Sequence, residues 1–472
     1  MDLHIDLGDR RELSNTIYCA ISNAILDGTL RPGVALPPSR ELARGLAVSR
    51  STVTVAYDRL AGAGFLTTRV GAGTFVNRIQ AEARGGGDRR RMRGPLAPQP
   101  KWLSLPIPEF PPVEFDFTSG LPDASLFPYD TWRRLLGRQF HAAAVGRGVY
   151  ADPAGHRGLR EAIARHVGVS RGVRIAAEDM TIVNGTQQAL DLVTRVLVAP
   201  GEVVAIEDPG YGPARRAFQA LGARVVAVPV DDHGLIVEQL PDDVRMVYVT
   251  PSHQFPLGVA MSSRRRLDLL SWASRTGAAI IEDDYDSEFR LGGPIDALQT
   301  LDRDGRVIFV GSFSKTMLPT LRLGFVATPP SLRSALHAAK HLTDWHTALP
   351  LQAALASFIG TGGFARHVRR MSAVYRTRHS VLSRAVCAEL GAYLDVVPAA
   401  AGLHLCTVAT PVGEPVVESA AAQALELGVA VQLLSEFSMN PAPRHGLVFG
   451  YGAIAADRIE AGIQRLRAAI TA

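Results

Sequence analysis

Only three of the fifty basic residues in this 472-residue chain are lysines: Lys101, Lys315 and Lys340. Chemistry that needs a primary amine has three places to go, because a guanidinium stays protonated and is no nucleophile. Lys315 ends the run Gly311-Ser312-Phe313-Ser314-Lys315, directly after the apolar stretch Val307–Val310, and Arg322 follows seven residues on. The apolar stretch reads as a buried strand, and α/β folds place their sites just beyond the carboxyl ends of such strands. Two hydroxyls and a guanidinium beside the amine are what a phosphate would engage. A carbonyl cofactor that carries a phosphate and is held by Lys315 as a Schiff base meets each condition, and pyridoxal 5'-phosphate is that cofactor. Alone, the Ser-x-Ser-Lys spacing fits a surface lysine in a serine-rich loop as well.

Three further segments carry complementary chemistry. Asn184-Gly185-Thr186-Gln187-Gln188 lies between a strand-like and a helical run. Backbone amides at that helix start can cradle a phosphate, although an ordinary strand-to-helix turn has the same composition. Glu282-Asp283-Asp284-Tyr285 follows the strand-like Ala278–Ile281. A pyridine ring acting as an electron sink needs a carboxylate at its nitrogen and a phenol near its ring oxygen; acidic strand ends are also common without one. Glu207-Asp208-Pro209-Gly210-Tyr211 is either a plain β-turn or the source of an aromatic ring that stacks on the cofactor.

The elements that must position these groups alternate. Strand-like runs at Met180–Val183, Val203–Ile206, Arg224–Val228, Met246–Val249, Ala278–Ile281, Val307–Val310 and Leu323–Ala327 are separated by helical runs such as Thr186–Leu197, Gly212–Leu221 and Arg264–Thr276. That pattern predicts an α/β domain with a largely parallel sheet. From Leu332 a long helical stretch runs through Arg378, and a strand–helix alternation then reads as a separate α+β lobe.

Upstream the organisation changes. Ser14–Asp27, Arg40–Leu46 and Arg50–Gly62 read as helices, with the turn Ala47-Val48-Ser49 before the third. Phe65–Thr68 and Thr74–Asn77 read as strands around Gly71-Ala72-Gly73, completing a winged helix-turn-helix. Between the two parts, Arg84 to Pro112 is dense in Gly, Pro and Arg and has no period. Its Arg84, Arg89, Arg90, Arg91, Arg93 and Lys101 face only Asp88 and Glu109, so it is a linker: a solvated tether, or one adding phosphate attraction near DNA. The expected limits are 1–78 for the DNA-binding domain, 79–114 for the linker and 115–472 for the large domain.

Composition closes off other classes. A hydrophobic content of 47% with 20% charged residues fits a globular chain and not a disordered one. No apolar run reaches the ~18–20 residues of a membrane span. Asp2, Asp6 and Asp9 argue against a signal peptide, and Cys19, Cys387 and Cys406 lack metal-ligand spacing. A cytoplasmic protein is expected, without a disulfide framework or a metal.

In order, NGTQQAL from Asn184, EDPGYG from Glu207, TPSHQFPLG from Thr250, IIEDDYDSEF from Ile280 and SFSKTMLPTLRLGF from Ser312 resemble the motifs of fold-type I aminotransferases. With LPPSRELARGLAVSRSTVTVAYDRLAGAGFL from Leu36, the whole resembles a MocR-type regulator of the GntR family, over nearly the full chain. The resemblance implies a winged helix-turn-helix fused to an aminotransferase-like domain of α/β class with a small α+β lobe. It implies Lys315 as the Schiff-base lysine, Asp283 at the pyridine nitrogen, Tyr285 at the phenolic oxygen and Tyr211 stacked on the ring. Gly185, Thr186, Gln187, Ser312, Ser314 and Arg322 would hold the phosphate. Tyr150 resembles the tyrosine that reaches the neighbouring subunit's phosphate, which implies a homodimer. In TPSHQFPLG the aminotransferase asparagine is missing and His253, Gln254 or Phe255 stands there, which argues against efficient transamination. His253, Gln254 and Arg444 are candidate effector contacts, Arg444 as the substrate-carboxylate arginine or as a solvated loop residue. The GABA-sensing branch has an arginine two residues after the stacking tyrosine; here that position is Pro213, which disfavours GABA.

In the GntR winged helix, DNA contacts come from the starts of the second and third helices and from the wing: Arg40, then Ser49, Arg50, Ser51, Thr52 and Thr54, then Gly71 and Gly73. Arginines can fork onto guanine edges, and hydroxyls at a helix start hold phosphates. Nine arginines against seven acids in the first 78 residues make only a weak field, so a winged helix used for protein contacts stays open. The expected function is a regulator that binds operator DNA and senses pyridoxal phosphate or an amino compound. The alternative is a working aminotransferase that carries a DNA-binding module.

Overall fold

The computed structural model describes residues 12–69, 71–78, 97–103, 105, 112–141, 148–290, 295–399, 402–440 and 444–471. Two compact units divide between Ala97 and Pro98. In the first, α1 (Leu13–Leu26) buries Ile17, Ile21 and Ile25 at a four-residue spacing, one face of a helix. They pack against Val53, Ala56, Tyr57 and Leu60 of α3 (Arg50–Gly62) and Leu42 of α2 (Ser39–Gly45). Each such burial is worth about 1.5–3 kcal/mol relative to exposure. The Tyr57 hydroxyl donates to the Pro37 carbonyl at 2.8 Å, which pins the entry of α2 onto α3. A hairpin follows, β2 (Leu66–Arg69) and β3 (Gly73–Val76), one residue offset from the expected strands. Gly71 (φ +79°) turns its tip, a conformation costly for a residue with a Cβ. A third strand, β1 (Ala35–Leu36), pairs antiparallel with β3; two residues are too short to leave a period in the sequence.

The second unit is built on an eight-stranded sheet. Its strands are β5 (Met180–Val183), β6 (Val203–Asp208), β7 (Arg224–Asp231), β8 (Gly234–Leu235), β9 (Val244–Val249), β10 (Ala279–Asp284), β11 (Val307–Ser312) and β12 (Gly324–Ala327). Their order is β5-β12-β11-β10-β9-β6-β7-β8. The centre is parallel, whereas β12 lies antiparallel between β5 and β11, and β8 is antiparallel on the edge. Strands β5 and β12 are buried at every residue because helices cover both faces, hence a sequence that is apolar apart from Thr181. Those helices include α7 (Thr186–Leu197), α8 (Gly212–Ala220) and α9 (Ser263–Thr276), while α4 (Pro100–Leu103), α5 (Tyr129–Gly137) and α6 (Arg157–Arg171) precede the sheet.

The long helix expected from Leu332 through Arg378 is three: α10 (Arg333–Asp344), α11 (Leu349–Gly360) and α12 (Gly363–Leu390), the last running past Arg378. Trp345 (φ 64°) and Gly362 (φ 72°) leave the helical region and break it. Apolar residues on both sides of each break preserve the helical period, so hydrophobicity alone hid them. The small lobe packs α12, α13 (Val417–Glu426) and α14 (Ala456–Thr471) on the antiparallel strands β13 (Leu394–Val396), β14 (His404–Ala409), β17 (Leu447–Gly450) and β16 (Gln432–Leu433). It is not made of the C-terminal third alone: β4 (Phe115–Asp116) pairs with β15 (Val429–Ala430), and Phe117 joins its core. The linker region, expected to be irregular, contains the single turn α4, whose Lys101 ammonium donates to the Ala220 carbonyl at 2.9 Å. Arg84, Arg89, Arg90, Arg91 and Arg93 lie outside the described residues. No helix among the described residues is long and apolar enough to cross a membrane.

Candidate functional site

The carboxyl ends of β5, β6, β9, β10 and β11 open onto one cavity of about 450 Å³. These five strands point the same way, so each delivers a loop to it. The β11 loop brings Ser312, Ser314 and Lys315; the β5–α7 turn brings Thr186 and Gln187; the β6–α8 turn brings Tyr211. Asp283 and Tyr285 come from β10, and Arg322 from the turn before β12. Residues 138 positions apart meet there: Arg322 Nη2 donates to the Asn184 carbonyl at 2.6 Å. Gly185 (φ +83°) faces the same guanidinium, and a Cβ on it would stand 2.7 Å from Nη2. Ser314 N donates to Ser312 Oγ at 3.1 Å, and the two hydroxyls lie 3.0 Å apart.

Asp283 is 4% exposed. Its Oδ2 accepts from the Tyr248 hydroxyl at 2.7 Å, while Oδ1 is buried without a partner. Burial pushes its carboxyl up to about 7, with Asp284 adding to the rise and Tyr248 and Lys315 opposing it. Lys315 Nζ donates to the Gly120 carbonyl at 2.6 Å. Burial pulls its ammonium below the usual lysine range, against the attraction of Asp286 and Asp283. Gly120 (φ +86°) passes so close that a Cβ would stand 2.7 Å from Nζ. The Tyr211 ring meets Phe255 edge-on at 5.8 Å between centroids. Tyr285 Oη donates to the His253 carbonyl at 2.9 Å.

Two effector candidates stand behind this wall rather than in it. His253 is buried, with Nδ1 3.1 Å from both Asp286 carboxylate oxygens. Gln254 donates to the carbonyls of Pro209 and Phe255 at 2.8 and 2.7 Å, and its Oε1 accepts from Leu257 N at 3.1 Å. Gln254 and His253 Nδ1 are engaged in holding the loop, His253 Nε2 is buried without a partner among the described residues, and Phe255 is the member of the trio that lines the cavity. Arg444 is exposed before β17 and does not line it either. Tyr150 also lies off this cavity, 71% exposed, its ring 4.0 Å from that of Trp345.

Sequence reasoning missed several residues that the fold brings in: Gly120, Tyr248, Asp286, His404 and Arg216. It also missed what lies under the β5–α7 turn. Lys340, 0% exposed, donates to Asp344 Oδ2, Gln188 Oε1 and Thr347 Oγ1 at 2.8–2.9 Å. Asp344 Oδ2 in turn accepts from Asn184 Nδ2 at 2.7 Å, so the turn is held from below. A lone lysine among so few was the available signal.

In the first unit, Arg40, Ser49, Arg50, Ser51 and Thr54 are exposed at the starts of α2 and α3, Thr52 is half-buried, and Gly71 and Gly73 are exposed in the wing. Ser49 caps α3, its Oγ accepting from Thr52 N at 3.1 Å. Arg50 Nε donates to Ser39 Oγ at 3.5 Å, joining the two helix starts.

Comparison with known proteins accords with this division. The pattern of the bacterial regulatory proteins of the gntR family matches residues 13–76, and that of aminotransferase class I and II matches 116–446. The chain is 37% identical to the "probable rhizopine catabolism regulatory protein MocR" of Rhizobium meliloti, across 100% of this chain and 96% of that protein. It is 32% identical to the pyridoxine biosynthesis transcriptional regulator PdxR of Corynebacterium glutamicum, across 92% and 90%. The kynurenine aminotransferase of Pyrococcus horikoshii superposes with a TM-score of 0.72 at 27% identity, covering 79% of this chain and 96% of that one. The fold of the second unit is thus that of aminotransferases dependent on pyridoxal phosphate. The chain belongs to the MocR-type transcriptional regulators of the GntR family, in which a DNA-binding winged helix is fused to an aminotransferase-like domain.

Proposed function

We propose that this regulator is a cytoplasmic homodimer that binds operator DNA through residues 1–78, and that residues 79–114 tether a sensor formed by 115–472. The sensor reads pyridoxal phosphate, or an amino compound through it. The observation that carries the reading is the buried, unpartnered Oδ1 of Asp283, in the same cavity as Lys315. A buried carboxylate oxygen with no donor costs about 1–3 kcal/mol or more, and a protonated pyridine nitrogen is the donor that answers it. The residues present fit the cofactor at its other end too, where Gly185, Arg322 and two serine hydroxyls form a cradle that a Cβ would fill.

When bound, pyridoxal phosphate supplies an aldehyde that condenses with primary amines and a ring that withdraws electrons from them. Lys315 would hold the aldehyde carbon, and its lowered pKa leaves more of the amine unprotonated. Asp283 would accept the ring N–H at Oδ1 while Tyr248 fixes the carboxylate through Oδ2. Tyr211 would stack on the ring, and Tyr285 would meet its phenolic oxygen. Gly185, Thr186, Gln187, Ser312, Ser314 and Arg322 would bind the phosphate, with Lys340 and Asp344 keeping the turn in place from beneath. The exposure of Tyr150, away from its own cavity, supports a role at a partner's phosphate. The exposed residues at the starts of α2 and α3 and in the wing support DNA contact. In the His253–Phe255 segment that stands in place of the aminotransferase asparagine, the residue lining the cavity is the apolar Phe255, which supports sensing over turnover.

Borohydride reduction of the protein with pyridoxal phosphate should leave a stable label on Lys315, and Lys315→Ala should lose it together with the visible absorption. A variant that keeps both would overturn the assignment. Amino acids supplied with a keto-acid acceptor should give slow half-reactions at most; steady-state transamination at roughly 1 s⁻¹ or more would favour the enzyme reading.

A further inference from the structure

One guanidinium in the cavity wall has nothing to hold among the described residues. Arg216 lies one turn into α8, and its side chain folds back over the helix start, so that a Cβ on Gly212 would stand 3.3 Å from its Nη1. It lines the cavity beside Tyr211, Gly212 and Pro213 and is half-buried. It makes no hydrogen bond or ion pair with any described residue. The other basic groups of the described wall are committed or neutral. Lys315 donates to the Gly120 carbonyl and Arg322 to that of Asn184. His404 donates through Nε2 to the Pro256 carbonyl, and burial drives its pKa down to about 3. The neighbouring Arg215 reaches the Ser438 carbonyl instead.

A half-buried cation without a counter-ion is an unfavourable arrangement that an anion relieves, and the start of α8 adds its own positive field at the same place. We propose that Arg216 forms an anion subsite for the effector, which is an amino compound carrying a carboxylate or sulfonate. Its amine is the end that meets the cofactor aldehyde, and its anion is the end that Arg216 holds. The inference rests on the reading that Lys315 carries pyridoxal phosphate. A guanidinium suits either anion because its fork can donate two parallel hydrogen bonds to a pair of oxygens. An amine without the anion would leave Arg216 as it stands, so discrimination is built into the cavity.

The test uses the full-length protein loaded with pyridoxal phosphate and three probes with two methylenes between the amine and the terminal group: 3-aminopropanoate, 2-aminoethane-1-sulfonate and propylamine. Titrations are followed by visible absorption and by calorimetry. At least one anionic probe should act at roughly 10- to 100-fold lower concentration than propylamine, the span expected for one charge-assisted pair. Preference for one anion over the other assigns the class. Arg216→Gln should collapse that ratio to near unity, and Arg216→Lys should restore part of it. Equal potency of propylamine in the parent protein refutes the subsite without any variant, as does an undiminished ratio in Arg216→Gln. Absence of a borohydride label on Lys315 refutes the underlying cofactor reading instead, so the two failures are distinguishable.

Discussion

Asp283 offers the sharpest test of how the site is built, because the same buried oxygen should act in opposite directions with and without the cofactor. Asp283→Asn keeps an acceptor for the Tyr248 hydroxyl and removes the ionisation. In the cofactor-free protein the carboxyl is raised from 3.8 to about 7 by burial and by Asp284, so the folded state favours its protonated form. The sign follows: the stability this group contributes is complete below its unfolded pKa and is lost as pH rises toward about 7. At 1.36 kcal/mol per pH unit, the rise corresponds to about 4 kcal/mol, of which about 2 kcal/mol falls between pH 5.5 and 8. Glu207 and Glu282, also pushed up to about 7, titrate in the same window but are common to both proteins and drop out of the comparison. Cofactor-free Asp283→Asn should therefore gain on the parent as pH rises, by about 4 °C in Tm between pH 5.5 and 8 at ~2 °C per kcal/mol, and level off above. Pyridoxal phosphate should reverse the order. Losing a charge-assisted bond to the ring nitrogen costs about 1.5–3 kcal/mol, or roughly 10- to 100-fold in affinity. Scanning calorimetry across pH gives the first quantity and cofactor titration the second. A Tm difference independent of pH would refute the buried ionisation, and unchanged affinity would refute the contact with the ring nitrogen.

Two further expectations concern the winged helix. Arg50→Ala should lose roughly 1–3 kcal/mol at the protein's own operator and relax discrimination at one base, whereas neutralising Arg89–Arg91 should weaken specific and scrambled duplexes evenly and flatten the salt dependence. Binding of Arg50→Ala as tight and selective as the parent's would point to a protein-contact module. Ser49→Ala, which removes the cap on Thr52 N, should cost the first unit about 1 kcal/mol in urea unfolding, and no change would mean the cap is replaced by water.

Much of this architecture is readable from the chain because a parallel sheet converts linear order into proximity. Lys315, Asp283, Tyr211 and Thr186 are far apart in sequence, yet each follows an apolar run, and runs that become parallel strands end on one side. The same logic places Ser49 and Arg50, since a hydroxyl before a helical period marks the helix start. Partners that sit on strands or on the far side of a turn leave no such mark. Tyr248 lies inside an apolar run, where a phenol looks like any core aromatic, and only the register of β9 against β10 brings it to Asp283. Lys340 lies in α10, where a lysine is normally solvated, until the packing of α10 on α7 encloses it.

Arg216 shows the limit of reading a site by offset. Pro213 occupies the position where the GABA-sensing branch of the family carries its ligand-binding arginine, and on that basis GABA looks disfavoured. Three residues later the chain has turned through most of a helical turn. Arg216 stands four residues from Gly212, on the same face, and reaches back over it because Gly212 has no side chain. A guanidinium can therefore return to the cavity mouth by a route that motif spacing does not sample. Whether a cation serves that cavity is decided by the face of α8 and not by the count from Tyr211, and on that face the position is filled.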